Sequence, residues 1–210
     1  ELNQERLRFY TNITHELRTP LTLILGPLED MQKETSLPAK QAQKLSVIHQ
    51  SALRLLNLIN QILEFRKTET QNKKLCVSKG NIAPLIYEIG LKYKELNQKT
   101  KIDFQIQIEK EEMFLFFDKE IITIVLDNLI SNAIKYTEQG RVTLSLYQTM
   151  RNEVAYTEIK VSDTGYGISA EALPHIFDRY YQESGKHQAS GTGIGWALVK
   201  NLVTLHEGEI

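Results

Sequence analysis

The sequence predicts an α+β protein in which a helical hairpin precedes an α/β sandwich. Two long stripes of apolar residues at helical spacing fill the first third of the chain. The remainder contains three stretches in which apolar and polar residues alternate, as they do in half-buried strands, and helical stretches lie between them. These two patterns occupy separate parts of the chain, so we expect two domains.

The first apolar stripe runs from Leu2 to Met31 and the second from Leu45 to Leu63. Between them, residues 34–38 contain turn-forming side chains and end in Pro38. A hairpin of two amphipathic helices cannot bury both apolar faces alone. We therefore expect a homodimer in which two hairpins form a four-helix bundle.

The predicted domains are residues 1–68 and residues 81–210, joined by a polar linker at residues 69–80 that is rich in lysine. Asn81 and Asp118 are expected to cap the helices that follow them. Mainly antiparallel strands are expected to form a sheet with helices on one face. The alternating stretches that predict these strands are residues 102–108, 142–146 and 155–161.

Composition excludes several classes of protein. A formal net charge of −1 gives no overall basic field, so neither nucleic acid nor anionic lipid is an expected partner. Cys76 is the only cysteine, which excludes an internal disulfide or a multi-cysteine metal site and fits a reducing compartment. No apolar stretch approaches the roughly 20 residues that span a bilayer, so no membrane contact is expected of this piece.

A histidine and its neighbours give the first chemical signal. His15 and Thr19 are four residues apart and share a helix face, and Glu16 is adjacent. A neutral imidazole is a nucleophile, and a neighbouring carboxylate can accept its proton. An isolated His-Glu pair is more often a plain surface pair. Pro20 follows within the same stripe and is expected to kink the helix one turn after His15.

The second signal is a pair of asparagines at residues 127–136. Asn128 and Asn132 project from one helix face, and an amide oxygen is a suitable ligand for Mg²⁺. The alternative for this stretch alone is a solvated helix face.

The third signal is Asp163, which ends a predicted strand and precedes Gly165 and Gly167. A carboxylate there can accept a hydrogen bond from an exocyclic amine, and glycines allow a close-approaching loop. Taken alone, this spacing most often marks a simple turn.

The fourth signal is a turn containing Gly191, Gly193 and Gly195, which opens a predicted helix. Backbone amides at a helix N-terminus form an anion site suited to phosphates. The spacing matches neither the dinucleotide fingerprint nor the Walker loop, so those folds are disfavoured.

These four stretches, in this order, resemble the histidine, asparagine and glycine boxes of sensor histidine kinases. The last three resemble the ATP-binding superfamily that includes type II topoisomerases, mismatch-repair ATPases and heat-shock chaperones. The resemblance implies a Bergerat-type ATP-binding fold after the hairpin. Family members continue into a final strand hairpin beyond Ile210, so the fold is expected to lack its last strands. Trp196 stands where the family commonly has leucine.

The resemblance also implies the role of each site residue. His15 takes the γ-phosphoryl group of ATP, Glu16 is the general base, and Thr19 positions water when the partner is dephosphorylated. By the same resemblance, Asn132 binds Mg²⁺, Asn128 supports the nucleotide and Lys135 reaches the phosphates. Tyr136 and Asp163 contact the adenine. The loops around the nucleotide are built on Gly165, Gly167, Gly191, Gly193 and Gly195.

The implied partner is an aspartate on a response-regulator receiver domain. The implied location is the cytoplasmic portion of a longer sensor anchored in the inner membrane. Two other functions fit part of the sequence: an ATPase or clamp without kinase activity, and a dimerisation scaffold without catalysis. The first leaves the His15 stretch unused, and the second predicts no nucleotide binding.

Overall fold

The computed structural model of the chain describes residues 2–33, 37–69, 73–97, 101–182 and 193–210, with backbone alone for residues 2–16 and 69. The chain divides into two compact units, Glu1–Lys73 and Lys74–Ile210. Each unit has its own hydrophobic core. None of the helices described in these ranges has the length and apolarity needed to cross a membrane.

The first unit is a helical hairpin made of α1 (Leu2–Lys33) and α2 (Ala39–Glu69). The helices are antiparallel, because Arg18 donates a hydrogen bond of 2.6 Å to Asn60 while Glu29 lies 3.6 Å from His49. The two predicted helices are therefore confirmed. Their shared core is small and consists of Leu21, Leu25, Ala52 and Ile59, with Leu56 packed against it.

Helix α1 continues through Pro20 and Pro27. Proline removes a backbone donor and crowds the preceding turn, which weakens a helix locally. The helix is not broken at Pro20, so the stretch that contains His15 lies within one helix.

The described residues of the second unit form two small sheets and three α-helices. One sheet pairs β1 (Ser78–Asn81) with β3 (Phe114–Phe117), and the other has the order β2–β4–β5. The elements of the second sheet are β2 (Ile102–Ile108), β4 (Gly140–Arg151) and β5 (Val154–Asp163). The helices are α3 (Ile82–Leu96), α4 (Lys119–Lys135) and α5 (Gly195–Leu205), and a short 3₁₀ turn spans Leu173–His175.

Strand pairing is mostly antiparallel. Strands β1 and β3 pair antiparallel, as do β4 and β5, where Val142 lies opposite Asp163. Strand β2 runs parallel to β4, with Ile102 opposite Gly140. A parallel pair needs a crossover connection, which β3 and α4 supply. The predicted α+β fold class is confirmed.

Both predicted helix caps are confirmed. The Asn81 side chain accepts a hydrogen bond of 3.2 Å from the backbone of Ala83 at the start of α3. Buried Asp118 accepts from the backbone of Glu120 and Ile121, at 3.0 and 3.1 Å, and begins α4. Its second oxygen accepts a 2.7 Å bond from the backbone of Cys76. Asp118 therefore also ties the start of this unit to α4.

The core of the second unit lies between helices α3 and α4 and the larger sheet. Its most completely buried side chains come from all three elements, and α5 packs against α4. Core side chains that are at most 1% exposed include Ile86, Leu126, Ile130, Val142 and Leu144. This packing fixes α4, which carries the two asparagines.

The sequence did not indicate β1 or β3. Residues 69–80 carry many lysines and were expected to form a linker, but Ser78–Asn81 pairs with Phe114–Phe117 as a four-residue strand. Lysine and glycine disfavour strands locally, so backbone pairing with β3 outweighs propensity here.

Candidate functional site

The histidine stretch lies on α1 of the hairpin. The backbone places His15, Glu16 and Thr19 within one continuous helix. The side chains of His15 and Glu16 lie outside the described part of the chain, whereas Thr19 is exposed on the helix surface. Arg18 next to it reaches across to Asn60 on α2. The helix geometry thus keeps residues 15 and 19 one turn apart.

Asn128 is a buried residue of α4, with 6% of its surface exposed. Its amide nitrogen donates a 2.8 Å hydrogen bond to the carbonyl of Ile124. A Cβ atom placed on Gly195 would lie 3.0 Å from the Asn128 amide oxygen. The Asn128 side chain therefore packs against the start of α5. The predicted support of a nucleotide by Asn128 would be indirect, through the glycine turn.

Asn132 lies one turn further along α4 and is half-buried. Within the described residues its side chain has no hydrogen-bond partner, so the amide is available to a ligand. Lys135, at the end of the same helix, is exposed. Its ammonium group donates to the Tyr136 hydroxyl at 3.2 Å and lies 4.8 Å from the centre of that ring. These residues form a polar corner at the end of α4.

The aspartate loop follows β5 and packs against this corner. The exposed carboxylate of Asp163 accepts a 2.9 Å hydrogen bond from the backbone of Gly165. The backbone of Tyr166 donates to the Tyr136 carbonyl at 3.1 Å. A Cβ on Gly165 would lie 2.3 Å from that same carbonyl oxygen, so only glycine permits this approach. Gly167 ends the loop with a φ of 73°.

The glycine turn leads into α5, with Gly195 as the first residue of that helix. Gly193 has a φ of 68°, and its carbonyl accepts a 2.9 Å hydrogen bond from the backbone of Tyr180. Gly191 lies outside the described residues. The backbone amides at the start of α5 provide partial positive charge that suits an anion.

Two tyrosine hydrogen bonds were not predicted from the sequence. One joins the aspartate loop to the segment that follows α4, and the other joins α3 to α4. The Tyr166 hydroxyl donates to Glu138 at 2.7 Å, and this hydrogen bond raises the pKa of Tyr166. The Tyr93 hydroxyl donates to Asp127 at 2.8 Å. Burial, followed by the charge of Asp127, raises the pKa of Tyr93. No local pattern links such pairs, because 28 and 34 residues separate their members.

The described residues contain no group of three or more His, Cys, Asp or Glu side chains that could hold a metal ion. Mg²⁺ does not need such a group when it takes most of its ligands from phosphate oxygens and water. One available amide oxygen at Asn132 fits that coordination.

Two loops thus converge on α4: the aspartate loop at Tyr136 and the glycine turn at Asn128. This arrangement, with glycine backbone amides at the start of a helix, suits a ligand that carries phosphates. Residues 117–210 match the family model described as "Histidine kinase-, DNA gyrase B-, and HSP90-like ATPase". Residues 5–71 match "His Kinase A (phospho-acceptor) domain", and together the two matches cover well over half of the chain. The chain belongs to the sensor histidine kinases.

Two curated relatives align with nearly the whole chain. Histidine kinase P4 of Formosa agariphila is 38% identical over 100% of this chain, which spans 16% of that protein. The autoinducer 2 sensor kinase/phosphatase LuxQ of Vibrio vulnificus is 32% identical over 98% of this chain, which spans 24% of LuxQ. The chain is therefore similar to a small part of much longer proteins.

One solved structure resembles the chain over almost its full length. The crystal structure of full-length ShkA in complex with AMPPNP superposes with a TM-score of 0.72 and 25% identity. The match covers 94% of this chain and 41% of that chain. The ligand in that structure is an ATP analogue bound to ShkA.

Proposed function

We propose that this chain uses ATP to phosphorylate its own His15 and then passes the phosphoryl group to an aspartate on a response-regulator receiver domain. The observation that carries the proposal is the presence of both matched units in one chain: a phosphoacceptor hairpin and an ATP-binding unit. An ATPase without kinase activity needs only the second unit.

In this proposal the nucleotide lies between the two loops that converge on α4. The exposed Asp163 carboxylate accepts a hydrogen bond from the adenine amino group, and Tyr136 lines the ring. Lys135 and the backbone amides of Gly191, Gly193 and Gly195 contact the phosphates. Asn132 holds Mg²⁺, which when bound neutralises phosphate charge.

The phosphoryl transfer is a displacement at the γ-phosphorus. One imidazole nitrogen of His15 attacks phosphorus, the bond to the β–γ bridging oxygen breaks, and ADP leaves with that electron pair. Glu16 accepts the proton that the other imidazole nitrogen loses. The protein's main contributions are positioning and charge neutralisation around the transferring group.

Thr19 carries a second proposed activity, in which its hydroxyl holds a water molecule for hydrolysis of the aspartyl phosphate on the receiver. The name of LuxQ as a kinase/phosphatase supports this reading. The chain acts as a homodimer, and the longer protein is anchored in the inner membrane with this portion in the cytoplasm.

The test is incubation of the whole chain with γ-labelled ATP and Mg²⁺. We expect label that is lost in acid and retained in base, as expected for a phosphohistidine. His15→Ala should take up none, whereas His49→Gln, on the other helix of the hairpin, should be labelled like wild type. ATP hydrolysis without label on the wild-type protein would contradict the proposal and favour the ATPase alternative.

A further inference from the structure

The chain segments on either side of residues 183–192 contact each other directly. Tyr180 donates its backbone N–H to the Gly193 carbonyl at 2.9 Å. A Cβ on Gly193 would come within 2.6 Å of the Tyr180 backbone, so glycine is required at this crossing. Tyr180 itself has a φ of 62°, which is uncommon for a bulky residue. A backbone held in this region marks a place where surrounding contacts outweigh local preference.

An aromatic pair, which we call the aromatic clasp, joins the same two segments. It consists of Phe177 and Trp196, whose ring centres lie 5.8 Å apart at an angle of 82°. Aromatic rings favour this edge-to-face arrangement. The Lys200 ammonium lies 5.3 Å from the centre of the Phe177 ring and one turn along α5 from Trp196. Phe177 is therefore held by two side chains of α5.

Trp196 occupies the first turn of α5, directly after the glycine turn. Gly195, the preceding residue, abuts the Asn128 amide, and the following residues Ala197 and Leu198 are buried in the core. The first turn of α5 is thus held against α4 on one side and against Phe177 on the other. A shift of Trp196 would move the backbone of Gly193 and Gly195 with it.

We propose that Trp196 is a positioning residue that fixes Gly193 and Gly195 for the phosphates of the nucleotide by anchoring the start of α5 to Phe177. The proposal rests on the proposed function as an ATP-dependent kinase. Glycine backbones lose more conformational freedom on ordering than any others. Ordering the turn before the nucleotide arrives lowers the cost of binding, so the clasp strengthens ATP affinity without taking part in the chemical step.

The main test compares ATP affinity and turnover in variants of the whole chain. Trp196→Leu should weaken ATP binding about 3- to 10-fold, the size of one edge-to-face aromatic contact. The maximal rate of autophosphorylation at saturating ATP should change less than about twofold. Trp196→Phe keeps an aromatic edge and should restore most of the affinity. Phe177→Leu should weaken binding to a similar extent, with little further loss in the double variant.

A matched control separates positioning from general destabilisation. Phe104→Leu removes an aromatic ring from the core cluster, which excludes Phe177 and Trp196, and should lower the melting temperature. ATP affinity should be unchanged in this control. Equal losses of affinity in Phe104→Leu and Trp196→Leu, or additive losses for Trp196 and Phe177, would overturn the proposal.

The tryptophan also supplies a spectroscopic readout, because it is the only one in the chain. Its fluorescence should change on titration with ATP and Mg²⁺, with the same midpoint as calorimetry. ATP binding without any change in fluorescence would contradict the placement of Trp196 at the phosphate turn. Failure of wild type to bind ATP would overturn the proposed function as well, whereas normal binding by Trp196→Leu would overturn only the clasp.

Discussion

The two units of this protein differ in how completely they bury their apolar side chains. In the second unit, core residues such as Ile86, Ile121 and Leu144 have no exposed surface. The hairpin instead leaves a row of apolar side chains half exposed, between 42% and 51%, along both helices. We call this row the outer stripe, and its members are Leu17, Ile24, Met31, Ile48 and Leu55.

Members of the outer stripe recur every seven residues on each helix, which is the spacing of an interface between packed helices. The second unit has an extensive core of its own, whereas the hairpin has the pattern of half a bundle. We therefore expect changes to the hairpin to affect assembly and phosphoryl acceptance. Changes to the second unit should affect nucleotide binding, and each unit should tolerate damage to the other.

The largest expected effect comes from Glu16. Glu16→Gln removes the proposed general base and should slow autophosphorylation about 100- to 10,000-fold, as loss of such a group typically does. ATP affinity should be unchanged, because the second unit is untouched. Quantitative labelling with γ-labelled ATP, together with calorimetry, measures both quantities.

Thr19→Ala is the matched variant one turn further along α1. It should leave phosphorylation of His15 nearly intact and slow dephosphorylation of a receiver from the same signalling system. Equal losses of both activities in both variants would mean that this turn of α1 acts only structurally.

The next largest effect is expected at Asn132. Asn132→Ala should weaken ATP binding in the presence of Mg²⁺ on the order of 100-fold, as loss of a metal ligand would. Thr123→Ala, earlier on the same helix, controls for the gain in helix propensity. Calorimetry with and without Mg²⁺ measures this loss of ATP affinity. Asp163→Ala should separately erase the preference for ATP over GTP. Wild-type ATP binding by both site variants would mean that the nucleotide site is misplaced.

The outer stripe gives the third prediction. Ile24→Glu should raise the dissociation constant of the dimer about 100-fold or more. In a two-fold symmetric dimer the substitution occurs twice, so the interface loses two buried apolar side chains and gains two negative charges close together. Gln43→Glu, an exposed polar position on α2, should have little effect. Analytical ultracentrifugation distinguishes these outcomes, and an unchanged dimer would exclude the outer stripe as the interface.

Local signals predicted most of the fold. The apolar stripes predicted α1 and α2, and the side chains of Asn81 and Asp118 marked the starts of α3 and α4. The short strands β1 and β3 could not be predicted. Each has only four residues, and the side chains of Phe114 and Phe116 are exposed instead of being packed in a core.

The candidate site was predicted unevenly. Spacing alone indicated an anion-binding turn and a pair of amides, but the individual roles came from the resemblance. The structure adds contacts between residues distant in sequence, such as Tyr93 with Asp127 and Phe177 with Trp196. Such contacts depend on how the helices pack, which no local pattern encodes. The buried setting of Asn128 was likewise not apparent from the sequence.

The smallest expected effect concerns the end of α2. Burial alone would raise the pKa of Glu64, but hydrogen bonds and charges from Lys67 and Lys73 hold that pKa below its usual 4.5. Stability from a carboxyl group with a lowered pKa is present at neutral pH and is lost as the pH falls through the folded-state value. Glu64→Gln should therefore destabilise the protein by about 1 kcal/mol at pH 7 and by much less near pH 3.

The two lysines allow a graded control at this site. Lys73 is 9% exposed and lies 3.0 Å from Glu64, whereas Lys67 is 36% exposed. Lys73→Met should therefore cost more stability than Lys67→Met in thermal denaturation at neutral pH. A difference between wild type and Glu64→Gln that does not shrink in acid would show that the charge of Glu64 is not what stabilises this end of α2.

The proposed separation of phosphoryl acceptor and nucleotide site between the two units is tested most directly with His15→Ala. ATP binding and phosphate incorporation would be measured on the same sample, by calorimetry and by intact mass. The variant should bind ATP with an affinity within about twofold of wild type, since the substitution lies outside the ATP-binding unit, and should gain no phosphate. Phosphate on the variant, or loss of its ATP affinity, would contradict the assignment of His15 as the acceptor served by an independent nucleotide site.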